Sequence, residues 1–255
     1  MSRPHLIALF AVIGLLPVAP AQAGPPITIE AQGSVRNPGS HALPAGARLS
    51  NAALAARPDE NAYMLGAALL RRQSIPSQAA LKAGLLFDLE QLAKQPANAA
   101  VANHLLRQFH SMPVTGRIPQ LLDPRPLEAS RTLDIPAQEG DHLLYPQRPG
   151  TITVLGAVVE PCQLTHIALA DAAAYARQCP RLVQASKDYI HLVQPDGSHR
   201  KLGVAAWNRD ANAPLAPGAI VFVPLDEQVV RRTAPDVNED AARFLATQVL
   251  ENPGT

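Results

Sequence analysis

The sequence predicts an α+β fold in which one small, β-rich unit occurs twice. Residues 33–39 read Gly-Ser-Val-Arg-Asn-Pro-Gly and residues 156–162 read Gly-Ala-Val-Val-Glu-Pro-Cys, so both contain the pattern Gly-x-Val-x-x-Pro. Gly-Asp-His-Leu-Leu-Tyr-Pro at 140–146 is matched in the same way by Gly-Ala-Ile-Val-Phe-Val-Pro at 218–224. Two units that open and close with the same strand-and-turn pattern indicate an internal duplication.

The N-terminus predicts a cleaved secretory signal peptide over residues 1–23. Arg3 precedes an apolar run from Leu6 to Leu16, and Ala21-Gln22-Ala23 forms a small-x-small cleavage site before Gly24. The run is too short for a membrane span, which needs about 20 apolar residues. We therefore expect an exported, periplasmic protein whose mature chain has no transmembrane segment.

The composition is that of a folded, electrically neutral protein. Hydrophobic residues make up 47% of the chain and charged residues 17%, which is enough apolar material for a core. Since Arg3 lies in the leader, the 22 basic residues fall to 21, equal to the 21 acidic ones. Nucleic-acid binding normally requires a basic surface, so we expect no nucleic-acid partner.

The first unit, residues 24–147, begins with a strand, a hairpin and a short helix. Residues 27–31 are rich in β-branched side chains and predict a strand that runs toward Val35, after which Asn-Pro-Gly turns the chain. Residues 40–43 can return antiparallel, and the alanine-rich segment from Ser50 to Pro58 predicts a helix. This order of elements is the opening of a β-grasp domain.

A helical insertion is predicted at about residues 59–110. Apolar residues recur there at helical spacing, and Pro76 and Pro96 mark joints between two or three helices. The residues that carry the spacing are Ala62, Leu65, Ala68, Leu69, Leu81, Leu85, Leu89, Leu92, Val101, Leu105 and Phe109. Strand signals then return over 114–118, 127–133 and 141–145.

The second unit, residues 148–230, lacks this insertion. Residues 151–155 predict its first strand and residues 169–177 its helix. Residues 189–193 and 199–202 flank the turn Pro195-Asp196-Gly197, where the Asp-Gly pair predicts a hairpin. A last apolar strand follows at 219–223.

The segment 231–255 predicts a C-terminal helix and tail. Asp236 can cap the helix while Glu239 reaches back, and apolar residues fall on one face, which favours an amphipathic helix packed on protein.

The combination of these motifs resembles a known domain. Gly-x-Val-x-x-Pro, a short helix, an Asp-Gly hairpin and Pro-Gly-x-x-Val-x-Val-Pro are similar to the soluble-ligand-binding β-grasp (SLBB) module of polysaccharide export proteins. With the leader, Thr115-Gly116-Arg117 followed by Leu122-Asp123-Pro124, and the terminal helix, nearly all of the mature chain resembles the capsule biosynthesis GfcC-like family. The resemblance implies two tandem β-grasp domains and a non-catalytic role, with no cofactor, in capsule or exopolysaccharide assembly or export.

The implied partners are the polysaccharide or outer-membrane polysaccharide export proteins. Related exporters form rings through such domains, but the insertion and the tail can cover those surfaces here, so we expect a monomer. An alternative from another class is a polysaccharide-modifying enzyme that uses a cleft around Arg117 and Asp123.

Cys162 and Cys179 are expected to form a disulfide. Export places these two cysteines in an oxidising compartment, and they lie on elements that pack together in a β-grasp domain. Two free thiols or a redox pair are the alternatives, although the spacing is not C-x-x-C.

Arg117 and Asp123 are the candidate ligand-binding residues. Thr-Gly-Arg is a recurring feature of the resembling family, and a guanidinium can offer two parallel donors to a carboxylate, phosphate or sugar. The structural alternative is a salt bridge from Arg117 to Asp123 or Glu128.

No other residues form a catalytic or metal-binding pattern. The histidine pairs His104/His110 and His191/His199 lack zinc-ligand spacing, so we expect no metal site. Trp207 and Tyr189 could stack on a sugar, but the single Trp of the chain is expected to fill the core.

Overall fold

A computed structural model describes residues 24–211 and 213–250. The predicted signal peptide lies outside the described residues. The described chain forms two five-stranded mixed sheets with helices packed around them, which confirms the predicted α+β class with two tandem β-grasp domains.

The first domain contains five strands: β1 Ile27–Gly33, β2 Gly39–Leu43, β3 Ala68–Leu70, β4 Arg117–Ile118 and β5 His142–Tyr145. They lie in the order β2-β1-β5-β3-β4, and only the central pair β1–β5 is parallel. Helix α1, Leu49–Ala56, packs its buried alanines against this sheet.

The strands of the second domain are β6 Thr151–Gly156, β7 Cys162–Thr165, β8 Tyr189–Val193, β9 His199–Gly203 and β10 Ile220–Val223. The order β7-β6-β10-β8-β9, with β6–β10 as the parallel pair, repeats the first sheet strand for strand. The helix over this sheet, α5, is Ala172–Gln178, in agreement with the predicted segment.

Val35 and Val158 occupy equivalent positions in the two domains. Each forms an isolated antiparallel bridge with the segment after its domain's first helix, Val35 with Pro58 and Val158 with Arg181. Since strand order, parallel pair and bridge all recur, the duplication predicted from the two sequence patterns is confirmed.

The helical insertion stands where the second domain has a hairpin. Strands β8 and β9 are joined by the turn 194–198, whereas β3 and β4 are separated by α2, Ile75–Ala93, and α3, Ala99–Ser111. Extra helices between two paired strands leave the order of the sheet unchanged.

Residues 62–69 do not form an α-helix, and that part of the prediction is wrong. Met64–Gly66 forms a single 3₁₀ turn, and the next residues enter strand β3, which lies between β5 and β4. A short apolar run fits a buried strand as well as a helix, and pairing on both sides decides for the strand.

The predicted strand at 127–133 is also wrong, because Pro124–Ala129 forms helix α4. Asp123 caps this helix, with its side chain accepting a hydrogen bond from the Arg125 amide at 3.1 Å. A capping carboxylate followed by Pro at the first helical position favours a helix start.

The apolar residues of the helical insertion pack on the second domain. Phe109 of α3 contacts Phe222 of β10 and Phe244 edge-on, with ring centroids 6.1 and 6.3 Å apart. Leu85, Leu89 and Leu105 belong to the same buried cluster as the second sheet. The insertion therefore shares its hydrophobic core with the second domain, whereas the core of the first sheet is a separate cluster.

Two further helices, α6 Glu227–Val230 and α7 Val237–Leu245, end the described chain. The apolar face of α7 is buried, as predicted, but the helix, predicted over 236–250, ends at Leu245. Asp236 precedes α7 without a side-chain capping bond, so the predicted cap is wrong. The predicted domain boundaries at 147/148 and 230/231 stay predictions.

Candidate functional site

The segment Thr115–Arg117 lies where the two domains, the helical insertion and the C-terminal tail meet. Arg117 begins β4 and pairs with Leu70 of β3, so the sheet holds its backbone. The Thr115 hydroxyl donates to the carbonyl of Thr247 at 2.6 Å and accepts from the Arg117 amide at 3.0 Å. The tail is thus bound to the first domain at Thr115.

The guanidinium of Arg117 is buried, and it binds backbone carbonyls. The residue is 5% exposed; Nη1 donates to the carbonyl of Gln248 at 2.6 Å, and Nη2 donates to the carbonyl of Pro195 in the β8–β9 hairpin. Its Nε is buried without a hydrogen-bond partner among the described residues. Burial lowers the pKa of Arg117 to about 10, opposed by the negative charge of Asp196, so the side chain is a cation at neutral pH.

Gly116 is required at its position by both space and backbone conformation. Its φ is +75°, and a Cβ would lie 2.8 Å from the carbonyl oxygen of Arg71. The amide of Arg71 also donates to the Gly116 carbonyl at 2.9 Å, so the two backbones are paired. A side chain here would push β4 away from the residues before α2.

The side chain of Gln78, on α2, forms hydrogen bonds to the backbone of the same segment. The sequence analysis did not identify this residue. Its amide nitrogen donates to the Arg117 carbonyl at 2.7 Å, and its amide oxygen accepts from the Gly116 amide at 2.8 Å. Gln78 is 7% exposed, on a helix whose neighbouring buried positions are leucines. A polar residue at a buried helical position was the signal that could have identified it.

Arg71 and Asp141 form a second buried polar contact, which sequence reasoning also missed. Arg71 donates from Nε and Nη2 to the two carboxylate oxygens of Asp141, each at 2.7 Å, and Asp141 is fully buried. This two-bond pair joins β3 to β5 near the start of the insertion.

Arg117 and Asp123 are not brought together. Asp123 caps α4, and Glu128 lies exposed on that helix; neither forms an ion pair with Arg117 within the described part of the chain. The salt-bridge alternative is therefore wrong. Ligand binding by Arg117 stays a prediction, and a ligand would have to displace the Gln248 or Pro195 carbonyl to reach the terminal nitrogens.

A cleft of about 400 Å³ opens beside this junction between the two domains. Its walls come from the 3₁₀ turn of the first domain and from the hairpin turn of the second. The residues that line it include Met64, Leu65, Leu121, Leu133, Asp196 and Ser198.

The C-terminal tail fits between the domains because glycines leave room for it. A Cβ at Gly66 of the first domain would lie 2.6 Å from Cδ1 of Leu250, and one at Gly218 of the second domain would lie 2.8 Å from its Cδ2. Leu250 thus contacts both domains at positions where a larger residue would exclude it.

Trp207 is on the surface, so its expected place in the core is wrong. The side chain is 71% exposed, on the loop after β9. The indole Nε1 donates to Asp188 at 3.2 Å, and the ring meets Tyr189 edge-on with 6.3 Å between centroids. Hydrogen bonds from Asn208 to Asp188 and from Gly203 to Asp210 hold this loop in place. Its conformation therefore does not depend on burial of the indole.

Cys162 and Cys179 form a disulfide, which joins β7 to the end of α5 with 6.2 Å between the Cα atoms. The histidines are divided between separate elements. His104 and His110 lie on α3, and His191 and His199 lie on paired strands near Glu239.

Among the residues that the structure describes, no helix is both long and apolar enough to cross a bilayer. In the same residues, no three His, Cys, Asp or Glu side chains are grouped so that they could hold a metal ion.

Comparison with known proteins assigns both halves of the chain. Residues 27–149 match the family model for the capsule biosynthesis GfcC N-terminal domain, and residues 160–250 match the model for the GfcC C-terminal domain. A relative, the uncharacterized protein YjbG of Escherichia coli (strain K12), is 31% identical over 166 residues, which are 63% of this chain and 67% of YjbG. The chain belongs to the capsule biosynthesis GfcC family.

Proposed function

We propose that this protein is a non-catalytic periplasmic component of capsule or exopolysaccharide assembly or export, which works by binding the polysaccharide or an outer-membrane export protein. Membership of the capsule biosynthesis family supports the process. A binding role is supported most by the junction at Arg117, where one buried side chain of the first domain bonds to both the second domain and the tail.

The contacts between the two domains support a binding role. Where such contacts order the surfaces of both domains in advance, less entropy is lost when a partner associates. The tail and the insertion cover part of both domains, which is consistent with a monomer that presents the remaining surfaces to its partner.

The disulfide supports export to the periplasm. A bond between Cys162 and Cys179 persists in an oxidising compartment and is rare in the bacterial cytosol. The expected leader at residues 1–23 would supply the route.

The enzyme alternative is less well supported. It needs Arg117 and Asp123 in one cleft, but the Asp123 carboxylate accepts from the Arg125 amide and the Arg117 nitrogens bind carbonyls. The two side chains are thus bonded to separate backbone groups, and a general acid and base must both reach the same substrate bond.

Two measurements on the purified mature chain test the proposal. Surface plasmon resonance against the strain's own exopolysaccharide and against its purified outer-membrane polysaccharide export protein should show saturable binding to at least one. Incubation with the polysaccharide should leave its mass distribution unchanged. Binding to neither partner, or shortening of the polymer, would overturn the proposal.

A further inference from the structure

A small polar pocket lies at the β8–β9 hairpin, and the loop that follows this hairpin carries the exposed indole of Trp207. The pocket, of about 240 Å³, lies between this hairpin and the segments that carry α6 and α7. Its polar lining residues are His191, Lys201, Glu227, Arg231, Asn238 and Glu239. Drug-sized ligands occupy cavities of roughly 300–1,000 Å³, so this pocket suits a smaller group, about one ring in size.

Trp207 and the pocket belong to one continuous surface. Nζ of Lys201 lies 2.8 Å from the Glu227 carboxylate in the pocket and 3.9 Å from the centroid of the Tyr189 ring. Tyr189 in turn meets Trp207 edge-on. A ligand longer than one ring could therefore contact both the indole and the pocket.

The loop that carries Trp207 is held in place by polar bonds. The Asn208 amide nitrogen donates to the Asp188 carbonyl at 3.1 Å, and the Asp210 carboxylate accepts from the Gly203 amide at 2.7 Å. With its N–H bound to Asp188, the indole is fixed by one edge while most of its surface stays in water. Such preorganisation reduces the ordering cost of binding.

The pocket contains a buried polar atom without a partner. His191 is 2% exposed and lines the pocket, and its Nδ1 has no hydrogen-bond partner among the described residues. Oε2 of Glu239 lies 3.9 Å away, beyond hydrogen-bond distance. Buried ring nitrogens are normally satisfied, so the wall of this pocket keeps one unused polar group, next to the carboxylate of Glu239.

We propose that this face binds pyranose residues of a polysaccharide, with one sugar on the indole of Trp207 and a neighbouring sugar in the pocket beside His191 and Glu239. A pyranose has an apolar C–H face for an aromatic ring and a rim of hydroxyls that both donate and accept. Carboxylates at 227 and 239 accept from such hydroxyls, and the cations of Lys201 and Arg231 donate to them. The mixed charges of the pocket suit hydroxyl groups better than a ligand of one strong charge.

This inference rests on the proposed function and deepens its polysaccharide-binding form. Trp207 is the only Trp of the chain, so its fluorescence reports on the site directly. The test uses the mature chain and oligosaccharides made by mild acid hydrolysis of the strain's own exopolysaccharide. Saturable movement of the emission to shorter wavelength, with weaker quenching by acrylamide, is the expected result.

Variants then locate the binding. The affinity of Trp207→Ala for the oligosaccharides, measured by calorimetry, should be about tenfold weaker or more. Truncation of a central Trp at an interface typically has an effect of this size. Glu239→Gln keeps the indole, so its binding can be followed by the fluorescence of Trp207, and the affinity measured in this way should be lower. Ile167→Ala is the matched control, because Ile167 is 60% exposed just after β7, at the opposite edge of the sheet, and should not change the affinity.

The outcomes separate this inference from the proposed function. Unchanged affinity of Trp207→Ala for the oligosaccharides overturns the site and leaves the proposed function standing. Binding to the export protein alone also overturns the site. Binding to neither overturns both.

Discussion

Nη1 of Arg117 lies 2.6 Å from the carbonyl oxygen of Gln248, so a strand of the first domain holds the C-terminal tail at a point 131 residues further along the chain. The other terminal nitrogen binds the hairpin of the second domain. The residue that sequence reasoning selected for ligand binding thus has a clear structural role, as a link between three segments that are distant in sequence.

Replacement of Arg117 by Met should destabilise the protein and release the tail. The carbonyls of Pro195 and Gln248 would lose their donor, and each unsatisfied buried group costs about 1–3 kcal/mol. Urea denaturation should show this loss, and hydrogen exchange should rise over residues 246–250.

The control for this change is Arg107→Met, since Arg107 is exposed on α3. Its free energy of unfolding should stay close to that of the unmodified protein. Equal stability of Arg117→Met and the unmodified chain would contradict the linking role.

Gly156 and Gly39 provide a matched pair for the effect of close backbone approach. Both have φ of +103°, but a Cβ at Gly156 would lie 2.3 Å from the Val223 carbonyl oxygen, whereas nothing lies within 4 Å of one at Gly39. Gly39→Ala should cost only the left-handed strain, about 1–2 kcal/mol. Gly156→Ala should cost clearly more, because β6 must move away from β10.

Thermal unfolding of the two alanine variants measures the difference. Loss of soluble protein for Gly156→Ala alone agrees with the expectation. Equal losses in stability would show that the parallel strands tolerate a side chain at this point.

Removal of the disulfide should reduce the stability of the second domain. The bond joins residues 17 positions apart, and a loop of that size corresponds to about 3 kcal/mol in the chain-entropy account. The double variant Cys162→Ser/Cys179→Ser should unfold at lower urea concentration than the oxidised protein.

Reduction gives an independent control for the same bond. Dithiothreitol should shift the urea midpoint of the unmodified protein toward that of the double variant and leave the double variant unchanged. A midpoint that does not respond to dithiothreitol in the unmodified protein would show that the bond adds no stability.

His191 should make the protein less stable in mild acid. Burial lowers the pKa of His191 to about 4, although the negative charge of Glu239 opposes the shift. Between the ordinary value near 6.5 and this value, the unfolded chain binds a proton that the folded chain does not. Stability from this residue is therefore complete above pH 6.5 and is lost as the pH falls toward 4, by up to about 3 kcal/mol.

Urea denaturation at pH 7 and pH 4.5 checks this dependence. His191→Gln should flatten the difference between the two pH values, while His110→Gln, at an exposed position on α3, should retain it. An unchanged pH difference in His191→Gln would show that other groups cause the loss.

The candidate site was predictable in part. The motif at residues 115–117 lies in the segment where the structure joins the two domains and the tail, and ligand binding there stays a prediction. The partners of Arg117 were not predictable, since they are backbone carbonyls that carry no side-chain signal. The exposure of Trp207 was also beyond the sequence, because a lone aromatic residue has the same local pattern in a core and on a surface.

The amino-acid sequence by itself determined the duplication of the fold. Turns, glycines with positive φ and apolar strands are local features, so two copies of one pattern were enough to specify two copies of one sheet. Only the tertiary structure decided whether residues 68–70 form helix or strand, where the inserted helices pack and what Arg117 binds. These depend on contacts between segments far apart in the chain, and their free energy appears only when the segments are brought together.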